Sequence, residues 1–488
     1  MKILLIRPHS EIKMQWTNIP LGVGYIASIL ENSGATVFVK DLMIDGYDRQ
    51  GLVEFIQSNT IDIVGISCLT IDSYYVKKII RDIKAESNIP VIVGGPHATV
   101  AYEELFESGA DYIVIGEGEE TIADLIRCIK NQGLAADVKG IAYKENGTIQ
   151  LTSPRPFMEN LDIIPYPAFH LLDMSIYSES AKHTGGYNIL SSRGCPADCT
   201  FCTKKIFGYK IRKRSPENVV EEIKLLQKQF NINTFCFADD YFLSSNKWVS
   251  KFCGLLAENK IKAKFWAQGR VDNKIKMDVY KQMINVGFIG ISFGIESGDQ
   301  FVLDSIGKRI TPQMAKEAVK KAKQAGFLMV EAGFILGFPQ DTKTSMEKTV
   351  RLASEVETTV SHTSFFTSFP GTKIQETLEK DNRIKYETDY RKLNLFTPTL
   401  TTDQFTEKDL WKYQDTIIFN KMKNRFMKET AHFPSFILEA IKSEQSLNHI
   451  AYMHFPATIK YIKNLKSKLA SIFSKTKIKK IFSRGHQS

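Results

Sequence analysis

The stretch YNILSSRGCPADCTFC, residues 187–202, sets three cysteines at Cys195, Cys199 and Cys202, directly after a run of strand-forming residues. Thiolates are the ligands of iron–sulfur clusters, and short spacing on one loop lets three of them grip a single cube. Three protein ligands leave the fourth iron open, and an open metal position marks a catalytic rather than a structural site. Zinc held by these cysteines and a remote ligand such as His183 is the alternative; structural zinc, however, favours paired Cys-x-x-Cys units, and this loop supplies one. The remaining cysteines, Cys68, Cys128, Cys236 and Cys253, are scattered, so no disulfide framework is expected.

Downstream of the cysteines, apolar runs alternate with helical patterns. TFCFA (234–238), KFWAQG (264–269), IGISFG (289–294), VEAGFIL (330–336) and HTSFFT (362–367) read as strands, with YNILSS (187–192) before them. Between them lie helices such as 216–230 and 311–326, where Pro216 and Pro312 follow Ser215 and Thr311 as first-turn prolines after a capping hydroxyl. Six strand–helix units fit a TIM-type barrel with two units missing, in which chemistry gathers at the carboxyl ends of the strands.

Upstream, KILLI (2–6), TVFVK (36–40), IVGIS (63–67), VIVGG (91–95) and YIVIGEGE (112–119) alternate with helical stretches, the pattern of a doubly wound parallel sheet. Such sheets bind ligands beyond the carboxyl ends of their strands, where the strand order reverses. The string Gly22-Val23-Gly24-Tyr25-Ile26-Ala27 imitates a nicotinamide fingerprint, but about 15 residues separate it from Ile6, so it lacks the tight strand–helix turn and is read as a packing feature. Pro154, Pro156, Pro165 and Pro167 suggest an irregular connector over 136–180. After 400 no strand alternation remains, and 405–426 and 433–482 read as helices.

The cysteine stretch, with Phe201 before its last cysteine, resembles the signature of the radical S-adenosylmethionine (SAM) superfamily. The barrel carries further family elements in order. FADD (237–240), with Asp239 and Asp240, resembles the motif that contacts the methionyl amine. Arg270 stands to pair with the methionyl carboxylate; GIESG (294–298), with Glu296 and Ser297, resembles the ribose element; and GFILGFP (333–339), with Ile335 and Gly337, resembles the adenine strand. The first sheet resembles the cobalamin-binding domains joined to radical barrels. Ser67, Leu69 and Thr70 in GISCLT, Gly94, Gly95, Pro96 and His97 in GGPHAT, and Gly116, Glu117 and Gly118 in GEGEET would surround that cofactor. The D-x-H-x-x-G motif that supplies an axial histidine in many cobalamin domains is absent, which implies cobalamin bound without a protein histidine on cobalt.

The fold class expected is α/β. It comprises an N-terminal doubly wound parallel sheet of the cobalamin-binding type (1–135), a Pro-rich linker or lid (136–180), a partial (β/α)6 TIM-like radical SAM barrel (181–400) and a helical basic tail (401–488). The resemblance implies one 4Fe-4S cluster on three cysteines, SAM, cobalamin, and an electron donor such as flavodoxin or ferredoxin. It implies methylation of an unactivated carbon or a phosphorus centre in a small-molecule or lipid-like substrate, through a 5′-deoxyadenosyl radical and methylcobalamin. Cyclisation, ring contraction or carbon–carbon coupling on the same architecture is one alternative. A cobalamin sensor with a relic barrel is another.

The chain of 488 residues, 43% hydrophobic and 24% charged, has an ordinary globular composition. Its opening, MKILLIRPHS, reads as a first strand rather than a leader, and a cytoplasmic protein is expected. Of the formal charge of +10, nine Lys or Arg fall between 460 and 484 with no acidic residue among them. No RNA-binding module accompanies that charge, so nucleic acid is not expected as a partner. The interleaved apolar and basic residues of the tail suit packing on the enzyme's own body, or a peripheral position on the inner membrane face.

Overall fold

A computed structural model describes residues 1–10, 17–380, 385–387 and 389–428. The first sheet contains β1 (Lys2–Arg7), β2 (Thr36–Asp41), β3 (Ile63–Ser67), β4 (Val91–Gly94), β5 (Tyr112–Val114), β6 (Ile141–Glu145) and β7 (Thr148–Leu151). Its order is β2-β1-β3-β4-β5-β6-β7, with β1 to β5 parallel and the last two strands antiparallel. Alternate strand residues go to opposite faces, as the period of two requires. Leu4, Ile6, Val64, Ile66 and Val93 pack with Leu52, Ile79 and Ile83 on one side, whereas Ile3, Leu5, Ile63 and Ile92 pack with Ala27, Leu30 and Ile122 on the other. Strand order reverses between β1 and β3, so the loop after β3 lies at the switch point where such sheets bind ligands.

The second sheet begins with β8 (Tyr187–Ile189), and a short pair, β9 (Ser192–Arg193) with β10 (Arg212–Lys213), then closes the base of the cysteine loop. Five more strands follow, β11 (Thr234–Phe237), β12 (Lys264–Arg270), β13 (Phe288–Glu296), β14 (Met329–Leu336) and β15 (Val360–Phe365). The order is β15-β14-β13-β12-β11-β8, all parallel. This is the six-strand partial barrel. On its outer face Phe235, Phe237, Phe265 and Phe293 join Val219, Ile223, Val249 and Phe252 of the covering helices in one core. The helices Pro216–Phe230 and Pro312–Ala325 start at their expected prolines, and the Ser215 and Thr311 hydroxyls accept from Asn218 N at 3.1 Å and Met314 N at 3.2 Å.

The connector departs from expectation. Residues 141–151 form a hairpin that extends the first sheet past the boundary at 135, and Met174–His183 is a helix; only the proline-bearing part between them is irregular. The cue was Asn146-Gly147, which turns the chain with φ of +51° and +81°, the signature of a two-residue primed hairpin turn. The rejected fingerprint lies inside the helix Leu21–Asn32, where a Cβ on Gly24 would come within 2.7 Å of Pro167 Cβ, so this glycine does serve packing. The expected helix at 405–426 is observed at Glu407–Lys428, whereas the one at 433–482 lies outside the described residues. Among the described residues no helix is long and apolar enough to cross a membrane.

A Cβ on Gly147 meets nothing within 4 Å, so Gly147→Val tests the turn's backbone alone. We expect a loss of about 1–3 kcal/mol, read as a lower urea midpoint.

Candidate active site

The cysteine loop is pinned at several points. Gly194, at φ +88°, would bring a Cβ within 2.3 Å of Lys210 O, so only glycine fits the exit from β9. Cys195 N donates to Gly208 O at 3.3 Å, Cys202 N to Cys199 O at 3.2 Å, and Thr200 N to Ile306 O at 2.9 Å. Cys195 and Cys199 are buried, whereas Cys202 is exposed. Among the described residues no three His, Cys, Asp or Glu side chains gather as a single ion would require. His183, the remote ligand considered for zinc, instead stands 3.4 Å from Glu179 in its own helix.

Around this loop the expected SAM residues divide into two groups. Asp240 is exposed and accepts from Gly194 N at 3.1 Å. Phe201 packs against Phe338 with centroids 5.5 Å apart, and Phe338 against Phe366 at 5.3 Å, both pairs tilted, giving the loop an apolar wall. Glu296 has φ +69° at an irregularity between β13 and β14, a strained setting of the kind found at binding sites, and Lys308 Nζ donates to its Oε1 at 2.6 Å. Ile335 is half-buried near the end of β14. Gly337, at φ +86°, turns the chain just past that strand and donates its N–H to Asp341 at 3.0 Å.

The second group faces inward. Asp239 is buried and accepts from Ser191 N at 2.7 Å, from Ser192 Oγ at 2.9 Å and from Ser191 Oγ. It braces the strand end before the cysteines instead of meeting an ammonium group, and burial pushes its carboxyl up. Ser297 is wholly buried, bonded to Thr349 Oγ1 at 3.2 Å and accepting from Asp299 N at 3.1 Å, so its hydroxyl is not offered to ribose. Arg270 donates Nε and Nη2 to Asp272 at 2.8 and 2.9 Å. Its fork is therefore occupied, and Nη1 is left 3.6 Å from Cys199 Sγ.

At the ends of the first sheet's strands, Leu69 and Pro96 are exposed, Ser67 and Thr70 are half-buried, and a Cβ on Gly116 would meet nothing nearer than 3.9 Å. With Gly94 these residues line the strand ends at the switch point, where sheets of this kind bind ligands, and the turn Tyr390–Lys392 packs beside them, Tyr390 5.0 Å from the His97 ring. Gly95, at φ +108°, would drive a Cβ to 3.0 Å from Cys68 O, and one on Gly118 would lie 3.1 Å from Ile26, so these two glycines serve the protein's own packing. His97 is fully buried, its Nε2 2.5 Å from Glu104 and its Nδ1 3.3 Å from the Thr70 hydroxyl, so both ring nitrogens have partners within the protein.

Glu117 also has a different role from the one expected. Its Oε1 lies 3.1 Å from Arg193 Nη1 and its Oε2 2.8 Å from Arg212 Nη1, while Arg193 Nη2 meets Glu119. All four side chains are 7% exposed or less. Burial alone would raise the Glu117 carboxyl, but Arg212, Arg193 and the Met158 N–H outweigh it and hold it below the usual range. These two arginines and two glutamates tie the loop after β5 to both strands at the base of the cysteine loop. Sequence reading missed Glu119, Arg193 and Arg212 because nothing local distinguishes a charge that will be buried and paired.

Two family models match, the B12 binding domain over residues 13–126 and the Radical SAM superfamily over residues 189–353. An uncharacterized methyltransferase of Pyrococcus horikoshii is 32% identical over 422 residues, 84% of this chain and 90% of its own length. The chain belongs to the cobalamin-binding radical SAM enzymes. An anaerobic magnesium-protoporphyrin IX monomethyl ester cyclase of Cereibacter sphaeroides is 28% identical over 451 residues, 89% of this chain and 72% of that one. In fold, this radical SAM enzyme is similar to the methyltransferase TsrM from Kitasatospora setae, solved with cobalamin and a [4Fe-4S] cluster bound. The TM-score is 0.69 at 17% identity, over 86% of this chain and 88% of that one.

Removing one partner from the buried network leaves an uncompensated charge. Arg193→Met in this radical SAM enzyme is expected to cost about 3–5 kcal/mol, and Arg193→Met with Glu119→Leu to recover most of it, read by urea unfolding. Asp341 offers a pH test. Burial pushes its carboxyl from 3.8 up to about 6. Between those values the folded chain keeps a proton that the unfolded chain has released, so stability falls as pH rises through the window, by about 3 kcal/mol for this group. Asp341→Asn should flatten the unfolding midpoint against pH between about 4 and about 6.

Proposed function

We propose that this enzyme methylates a small molecule at an unactivated carbon or a phosphorus centre. Cys195, Cys199 and Cys202 would hold a [4Fe-4S] cluster with SAM beside it, and the cradle of Ser67, Leu69, Thr70, Gly94, Pro96 and Gly116 would hold cobalamin. The observation that carries the reading is the closeness of the two loops. The nearest atom to a Cβ on Gly116, in the cobalamin cradle, is Lys205 O of the cysteine loop, 3.9 Å away. Once bound, these cofactors supply the radical and the methyl group.

The chain's own residues bind and orient. Asp240 and Glu296 offer carboxylates to the amine and hydroxyls of SAM, and Ile335 and Gly337 border its base. Arg270, held by Asp272, turns its remaining Nη1 towards Cys199, where a cation stabilises thiolate charge. Phe201, Phe338 and Phe366, in contact with one another beside the cysteine loop, would help exclude water from a cluster held there. A flavodoxin or ferredoxin supplies the electron. The cyclase relative supports a second reading, ring closure on the same frame.

Protein purified anaerobically from cobalamin-fed cells should contain about four irons and about one cobalt per chain. Cys199→Ala should lose most of the iron and keep the cobalt. Full iron in that variant would overturn the cluster assignment. Labelled methyl transfer from SAM then separates methylation from ring closure.

A further inference from the structure

The inner face of the partial barrel is unlike its outer face. Where Phe235, Phe265, Phe293 and Phe334 turn outward and are buried, the intervening residues of β12, β13, β14 and β15 are Trp266, Gln268, Ser292, Glu331, Gly333 and His362. Register gathers them. Gln268 pairs with Ser292, Ser292 with Glu331, and Gly333 with His362. His362 Nε2 lies 3.1 Å from Glu331 Oε1. The Trp266 indole forms a floor over Gly290, where a Cβ would come within 2.2 Å of the ring. Above that floor the inner face borders a hollow: Gln268 is exposed, Ser292, Glu331 and Gly333 are half-buried, and a Cβ on Gly333 would meet only Phe293 O, at 3.9 Å.

The polar groups bordering this hollow are open. Gln268 is exposed, and neither its amide nor the Ser292 hydroxyl hydrogen-bonds another described residue. Glu331 keeps a side-chain exposure of 15%, with only one oxygen committed to His362. Neighbouring charges come in neutralised pairs, Arg270 with Asp272 and Lys308 with Glu296. A carboxylate, an amide and a hydroxyl converging on an open space with an aromatic floor recognise a polar group that donates hydrogen bonds and carries positive charge.

We infer that the barrel hollow is the substrate's anchoring pocket, and that it takes the cationic, nitrogen-bearing end of a small polar molecule. Glu331 is its ion-pair partner, Gln268 and Ser292 are its hydrogen-bond partners, and His362 holds Glu331 in place. An alkyl or isoprenoid chain in the same space would strip water from these groups and return nothing, so the pocket selects against lipid. The inference rests on the methyl-transfer reading above.

The test uses the anaerobic holoenzyme, methyl-labelled SAM and a protein-free small-molecule extract of the native host. That extract is divided into cation-exchange-retained, anion-exchange-retained and organic-phase pools. Label should enter the cation-exchange-retained pool. Dilution of that pool should give an apparent KM raised on the order of tenfold or more in Glu331→Gln, with kcat changed less and partial recovery in Glu331→Asp. Iron and cobalt per chain should hold in both variants. Label in the organic-phase or anion-retained pool, or an unchanged KM in Glu331→Gln, overturns the pocket assignment and leaves methyl transfer standing. No label in any pool from fully loaded enzyme overturns both.

Discussion

Four buried side chains, Glu117 and Glu119 against Arg193 and Arg212, hold the first sheet to the cysteine loop. Their charges cancel within the group, and each arginine also faces an aromatic ring, Arg193 at 5.1 Å from Phe207 and Arg212 at 5.0 Å from Phe157. Such a cluster adds modest net stability, since desolvation consumes most of the Coulombic gain. What it contributes is specificity of arrangement. An arginine fork and a carboxylate satisfy each other in few orientations, so the end of β5 and the β9–β10 pair meet in one way. The proximity of Gly116 to Lys205, on which the proposed chemistry depends, follows from that meeting.

The same economy recurs around the site. Asp239 and Ser297 occupy family motif positions yet spend their oxygens on Ser191, Ser192, Thr349 and Asp299, so they hold strand ends and turns in place while Asp240 stays exposed and Glu296 is buried against Lys308. Arg270 divides itself, most of its donors fixed by Asp272 and Lys308 O and one left for Cys199. A site that must align three large cofactors uses many of its polar residues as supports, because alignment tolerates little slack.

Both sheets were legible from the chain because strand and helix periodicity, capping hydroxyls and first-turn prolines are local signals. The hairpin at 141–151 was missed although Asn146-Gly147 announces it, since four prolines nearby suggested irregular chain. The cysteines were legible for the same local reason, three ligands on one short loop. The motif residues were only half legible. Their positions could be named, but Asp239 and Asp240 are adjacent and identical in type, and only packing turns one in and the other out.

The sequence by itself therefore determined most of the strands and helices, their order and the cysteine triad, because each depends on neighbours within a few residues. Tertiary structure alone decided which charges are ligand-facing and which are buried supports, as with Glu117, His97 and Asp239. It alone made a pocket from Gln268, Ser292, Glu331 and His362, residues on four separate strands. The physical reason is that a side chain's desolvation and partners are set by whatever the fold brings against it, and residues far apart in the chain carry no sign of one another.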